Sequence, residues 1–136
     1  MSKTDFILPV RVYYEDTDAG GIVYYANYLK FFERARTEWL RALGVEQDIL
    51  LAEQVGFVVT DVQMKNHKSA KFNELLTVSS QISTLKRASM IFSQQITNAD
   101  GQLLCSAEIK VACVNPQAGN ARPLPANVLE VLQRVR

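Results

Sequence analysis

The chain has 136 residues, 48% of them apolar and 21% charged, with a formal net charge of +1. That length suits one domain, expected to span residues 1–136 and to bury a core without staples, and the balance is that of an ordinary soluble globular protein. Near-neutral charge offers no bulk attraction to nucleic acid or membrane, so any anion must be held by a local cluster of Lys and Arg.

No run of 18 apolar residues exists, so no membrane-spanning helix is expected. The N-terminus MSKTDFILPV has a short apolar patch and an early acid, unlike a signal peptide. Phe6 to Tyr14 reads as a strand, with Val10, Val12 and Tyr14 on one face and Pro9 marking an edge or start. Glu15 to Gly21 is rich in turn formers. A helix is expected from Tyr25 to about Leu43, carrying Tyr28, Phe32, Ala35 and Trp39 on one stripe, with Gly44 as its stop. The spacing also predicts Glu33–Arg36 and Arg34–Glu38 pairs on its surface. A short second helix follows, about Glu46 to Gln54.

From Phe57 the period becomes two. Val58, Thr60, Val62 and Met64 form one face of a strand. Leu76, Val78, Ser80 and Ile82 mark the next, and Met90, Phe92, Gln94 and Ile96 a third. Asn98 to Gly101 is a hairpin turn. Leu103, Cys105, Ala107, Ile109, Val111 and Cys113 share a face of the last strand. Eight steps along that strand separate the cysteines by roughly 26 Å, whereas a disulfide tolerates about 7 Å between Cα atoms. No intrachain bridge is expected, and the cytoplasm is the expected compartment. Pro116 to Pro125 is a loop, and Val128 to Val135 a terminal helix. One broad-faced apolar helix followed by half-buried strands implies an α+β fold, a long central helix wrapped by a curved antiparallel sheet.

Several chemistries are missing from the motifs. There is no nucleophile elbow, Gly-rich phosphate loop or H-E-x-x-H. The one histidine, His67, lies in a basic stretch, and both cysteines sit in apolar alternation as core residues. Glu15, Asp16 and Asp18 remain. An acidic turn is often only a solvated, self-capping loop. A calcium loop would need further acids where Gly20 and Gly21 stand. Two features argue for chemistry at Asp18. The acids directly precede a helix whose first N–H groups and dipole favour developing negative charge. Ile22, Val23, Tyr24 and Tyr25 are apolar beyond the needs of an exposed turn. A carboxylate there can attack an acyl carbon or activate water, while backbone N–H groups hold the oxyanion.

The segment P-V-R-V-Y-Y-E-D-T-D-A-G-G-I-V-Y-Y-A-N-Y-L, followed by F-F-E-R-A-R-T-E, resembles the 4-hydroxybenzoyl-CoA thioesterase family of hotdog-fold enzymes. Within it the chain is most similar to the Tol-Pal-system-associated acyl-CoA thioesterases, from about Pro9 to Pro125 and including F-V-V, V-N-P and R-P-L-P. The resemblance implies thioester hydrolysis without metal or organic cofactor, in a homo-oligomer that is at least a dimer and often a tetramer, with sites between subunits. It puts Asp18 on the catalytic aspartate and the Tyr25 N–H on the carbonyl-polarising donor. The subfamily commonly has histidine where this chain has Tyr25, and tyrosine is a poor base near neutral pH.

CoA carries phosphates, and the resemblance assigns them to Lys86, Arg87 and Ser89, with Arg122 and the Lys65, Lys68 and Lys71 group as further candidates. Gly21 and Tyr24, flanking the turn, are candidate substrate contacts, and Phe57 and Met64 could join Tyr24 and Tyr25 along an acyl pocket. Glu33 is either an ion-pair partner or a group beneath the site. Asp16 is expected to shape the turn and Asn27 to bond the incoming loop. The leading expectation is an acyl-CoA thioesterase with Asp18 as nucleophile or general base. The alternatives are a non-catalytic module binding acyl-CoA or an acyl carrier protein, and a dehydratase, which would need a histidine–acid pair.

Overall fold

A computed structural model of the protein describes residues 5–136. The reading of the N-terminus as no leader involves residues 1–4, which lie outside the described residues. The elements run β1 (Phe6–Arg11), α1 (Asn27–Ala42), α2 (Gln47–Ala52), β2 (Gly56–Asn66), β3 (Leu75–Leu85), β4 (Ser89–Thr97), β5 (Leu103–Val114) and α3 (Ala126–Val135). The strands form one antiparallel sheet in the order β1-β3-β4-β5-β2, which leaves β1 and β2 as its edges. The architecture is the expected α+β arrangement.

α1 has no Gly or Pro within it and ends where Gly44 takes φ +84°, a conformation that costs glycine little. It starts two residues later than its apolar pattern implies. Ala26 already has helical dihedrals, but the N–H groups of Asn27 and Tyr28 bond three residues back, to the carbonyls of Tyr24 and Tyr25. The entry is therefore a tight turn that opens into the helix. Its buried positions are Tyr28, Phe31, Phe32, Ala35, Arg36, Trp39 and Leu40. Phe31 and Arg36 widen the stripe beyond the expected one. Trp39 stacks on Phe6 of β1 at 5.9 Å and meets the Phe92 ring of β4 edge-on at 6.1 Å. Each fully buried large side chain contributes about 1.5–3 kcal/mol, so this one helix anchors much of the core. On its surface Glu38 pairs with Arg41 rather than Arg34, and Arg36 turns inward instead of pairing with Glu33.

Three bulges interrupt the ladders, and two of them shift faces that simple alternation had assigned. In β2 the register steps from Val59 to Asp61, skipping Thr60. Phe57 and Val59 lie opposite the inward Cys113 and Val111, and beyond the bulge Val62 and Met64 lie opposite the inward Ile109 and Ala107. Val58 therefore does not share a face with Val62 and Met64. In β5 the step between Cys105 and Leu103 leaves Leu104 unpaired with β4, so Leu104 is buried and Leu103 turns outward. The third step, between Ile82 and Thr84, lies in β3. Each bulge adds local twist and bends the sheet around α1. Tyr14 also leaves its expected face: it sits in a 3-10 turn, Tyr14–Asp16, and is 80% exposed. α3 packs Val128 and Leu132 into the core.

Cys105 and Cys113 are buried free thiols, and burial pushes the Cys105 thiol from the ordinary 9.0 up to about 12. Its folded form holds the proton more tightly than the unfolded form. The corresponding stability is fully present below pH 9.0 and is lost as pH rises through about 12. The urea midpoint is expected to fall above pH 9, with a shallower fall in Cys105→Ala; parallel pH profiles would contradict this account.

Candidate functional site

The segment between β1 and α1 folds around Asp16. Its carboxylate accepts the Tyr13 N–H at 2.8 Å. Its carbonyl accepts the Tyr24 N–H at 3.0 Å and Asn27 Nδ2 at 2.9 Å. Asp16 is buried and shapes the turn, and Asn27 bonds the incoming loop, as their positions suggested. Thr17 bridges Val23, and the Asp18 N–H bonds the Ile22 carbonyl at 2.9 Å. Residues 18–21 close this small hairpin through a Gly21 N–H to Asp18 carbonyl bond of 3.0 Å, with Gly21 at φ +77°. A side chain at Gly21 would be strained by that dihedral alone.

Asp18 sits at the hairpin tip and Tyr25 at its base. Asp18 Oδ1 accepts the Gly20 N–H at 2.9 Å, and Oδ2 has no partner among the described residues. The carboxylate is exposed in the single chain. The Tyr25 N–H likewise has no hydrogen-bond partner among the described residues, at the head of α1. The Tyr24 and Tyr25 rings are half-exposed and pack against each other at 5.1 Å.

The hairpin docks on the connection between β2 and β3. Val23 N–H bonds Ala70 O at 2.8 Å, Phe72 N–H bonds Gly21 O at 3.2 Å, and Ile22 bridges Lys71. The Tyr28 hydroxyl of α1 accepts the buried Ala70 N–H at 3.0 Å, and burial raises the Tyr28 pKa. His67 bonds Ser106 at 3.0 Å on the exposed surface.

The candidate phosphate ligands gather at the opposite end of the sheet. Lys86, Arg87 and Ser89 form the β3–β4 hairpin, closed by Lys86 N–H to Ser89 O at 2.8 Å. The Arg87 carbonyl accepts the Leu124 N–H, and the Arg122 N–H bonds Cys113 O, which brings the 116–125 loop beside them. The Arg122 guanidinium bonds Gln54 O at 3.0 Å and so also pins this loop to the end of α2. β3 spans the distance between the two ends, and its 11 residues cover on the order of 30 Å. One chain therefore does not bring Asp18, Gly21, Tyr24 and Tyr25 together with Lys86, Arg87, Ser89 and Arg122.

The thioesterase-like superfamily model matches residues 12–132. The chain is 44% identical over 129 residues to a protein of Escherichia coli O157:H7 named acyl-CoA thioester hydrolase YbgC, covering 95% of this chain and 96% of that one. It is 46% identical over 125 residues to the acyl-CoA thioesterase YbgC of Haemophilus influenzae, covering 91% and 90%. This chain belongs to the thioesterase-like superfamily. A solved probable thioesterase from Bartonella henselae superposes with a TM-score of 0.82 at 36% identity, covering 89% of this chain and 99% of that one. The DHNA-CoA thioesterase of Staphylococcus aureus shares the fold at a TM-score of 0.92 and 22% identity, covering 96% and 90%. The sheet wrapped on α1 is the hotdog fold of this superfamily, in agreement with the motif resemblance.

One feature of this hotdog chain escaped the motif reading. A cavity of 260 Å³ opens between α1 and strands β2, β4 and β5, with Phe57, Val59, Met90, Phe92 and Val111 on the sheet side and Glu33, Arg36 and Thr37 on the helix. Of the expected acyl-pocket residues Phe57 lines it, and Tyr24, Tyr25 and Met64 do not. Arg36 Nη1 bonds Gln94 Oε1 at 3.0 Å, and Gln94 Nε2 bonds Phe32 O at 3.0 Å and Ser80 Oγ at 2.9 Å. Burial lowers the Arg36 pKa, partly offset by the Glu33 charge. The signal was in the strands: Ser80 and Gln94 occupy core-face positions and are register partners, so two polar groups had to meet inside.

The Tyr28 hydroxyl is the sole hydrogen-bond partner of the Ala70 N–H among the described residues. Tyr28→Phe leaves that buried donor unpaired and is expected to cost about 1–3 kcal/mol, read as a lower urea midpoint. An unchanged midpoint would remove the hydroxyl from the account of how the loop is held.

Proposed function

We propose that this chain hydrolyses acyl-CoA thioesters to a free carboxylic acid and CoA. The names of the YbgC relatives, at 44% and 46% identity across nearly the whole chain, support the reaction class. The observation that carries the site assignment is the hairpin itself. Among the described residues, it holds a carboxylate with one uncommitted oxygen at its tip and an unpartnered N–H at its base, beside the positive end of a long helix. In this reading the thioester lies along the hairpin, its carbonyl oxygen toward the Tyr25 N–H and its carbonyl carbon toward Asp18. As nucleophile, Asp18 forms an acyl anhydride, CoA leaves as thiolate, and water then cleaves the anhydride. As general base, Asp18 takes a proton from water, which attacks the carbonyl carbon directly while thiolate leaves. The Tyr25 N–H stabilises the oxyanion in both routes, a contribution of about 10²–10³ in rate for one such donor.

The separation of acid and cations argues that each site needs two copies of the chain. β2 is an open edge of 11 residues with Val58, Val59 and Val62 exposed, a surface that invites strand pairing. Antiparallel pairing of β2 with its counterpart in a second copy sets the Gly56 end beside the partner's Asn66 end. That is the sense needed to bring the Lys86, Arg87, Ser89 and Arg122 group of one copy to the Asp18 turn of the other. Gly21 and Tyr24 then contact the pantetheine arm. We place this homo-oligomer, a dimer or a tetramer of two dimers, in the cytoplasm, where buried thiols stay reduced. Among the described residues no helix is long and apolar enough to cross a membrane. An acyl carrier protein presents the same phosphopantetheine thioester and belongs in the substrate panel.

Asp18→Asn and Asp18→Ala are expected to lower kcat by about 10²–10⁴ with an unchanged circular dichroism spectrum, assayed by thiol release from short, long and aromatic acyl-CoAs. Tight acyl-CoA binding without turnover by the unmodified protein would instead identify a binding module. Complementation tests the shared site. Asp18→Ala mixed and refolded 1:1 with a Lys86→Ala/Arg87→Ala double variant yields half heterodimers, each with one intact site, so activity recovers to about a quarter of the unmodified level. No recovery above the sum of the parents would confine each site to one copy.

A further inference from the structure

The cavity between α1 and the β2 side of the sheet holds an unusual charge. Arg36 is only 8% exposed, yet no carboxylate lies within 4.0 Å of it among the described residues. A buried guanidinium without a counter-ion is costly and normally acquires one. Among the described residues its one side-chain hydrogen bond is to Gln94, whose amide nitrogen in turn bonds Phe32 O and Ser80 Oγ. That chain of bonds holds the fork in place and leaves further N–H donors for something else. Arg36 lines the cavity, and its guanidinium carbon lies 5.8 Å from the centroid of the Phe92 ring on the same wall. Glu33 lines the same cavity but is exposed, so water screens its charge more than that of Arg36. Thr37 adds a hydroxyl, and Phe57, Val59 and Val111 supply an apolar wall.

The geometry points to a carboxylate-binding subsite: Arg36 takes the far-end carboxylate of an acyl group whose methylene chain lies against the apolar wall. The preferred substrates are then thioesters of dicarboxylic acids, with one carboxyl esterified to CoA and the other free. This rests on the thioesterase reading for the reaction, though not for the binding. The fork can engage both oxygens of the carboxylate. An unsubstituted acyl chain of the same length leaves Arg36 unpaired, and this difference selects between the two classes.

The test compares mono-CoA thioesters of straight-chain dicarboxylic acids with unsubstituted acyl-CoAs of matched length, across a series of lengths. Non-hydrolysable thioether analogues of both series are titrated calorimetrically in parallel. At the best length the carboxylated series is expected to lead by about 10- to 100-fold in kcat/KM and in affinity. In Arg36→Met that ratio is expected to collapse to one or below, with Arg36→Lys between. Loss of all turnover with the thioether preference intact would sink the hydrolase reading and leave the subsite standing. An unmodified protein that favours unsubstituted chains at every length, or a preference that survives in Arg36→Met, would overturn the subsite. The first of those outcomes needs no variant to fold.

Discussion

The structure depends on covering α1. Its buried positions run from Tyr28 to Leu40 and include three large aromatic rings besides Tyr28. A flat sheet cannot cover so broad a stripe. The bulges at Thr60, Ser83 and Leu104 add the extra residues that bend and twist the strands. With the body of the helix enclosed, its N-terminal end is the part left for the β1–α1 segment, and Asp16 folds that segment into place. Packing therefore determines where the carboxylate of Asp18 is displayed before any chemistry is considered.

The polar groups fall into three places. Asp18 and the Tyr25 N–H belong to the hairpin at one end of the sheet, and the cations belong to the β3–β4 hairpin and the 116–125 loop at the other. Toward the cation end, under the start of β2 and β4, lies a cavity with a buried guanidinium held by Gln94. The proposed assembly through β2 joins the two ends in space, and the cavity adjoins that same strand. An acyl thioester has a corresponding division: a charged nucleotide, a reactive carbonyl and an acyl tail.

Much of this was legible in the residues. The period of the strands, the Gly44 stop and the hairpin at Asn98 each have a local physical cause, and the fold class follows from them. The motif around Asp18 was legible because acids, glycines and a helix start are close in sequence. The bulges were not, since an extra residue such as Thr60 shows only against a paired strand, and it reverses the facing of everything beyond it. Arg36 was misread for a related reason. Its spacing from Phe32 and Leu40 fits the apolar stripe, but its charge suggested a surface pair with Glu33. The partner that draws it inward, Gln94, is 58 residues away. The separation of the Asp18 end from the Lys86 and Arg87 end is a property of strand length and order, which no local pattern contains.

The docking of the hairpin on residues 67–74 has a consequence for how the protein tolerates change. Bonds from Val23 and Phe72, the bridge from Ile22, and the Tyr28 hydroxyl join two segments that lie some fifty residues apart in the chain. Neither can shift alone. Drift in that distant connection, which supplies no group to the proposed reaction, would move the carboxylate as surely as drift beside it. Evolutionary freedom there is limited by geometry rather than by chemistry.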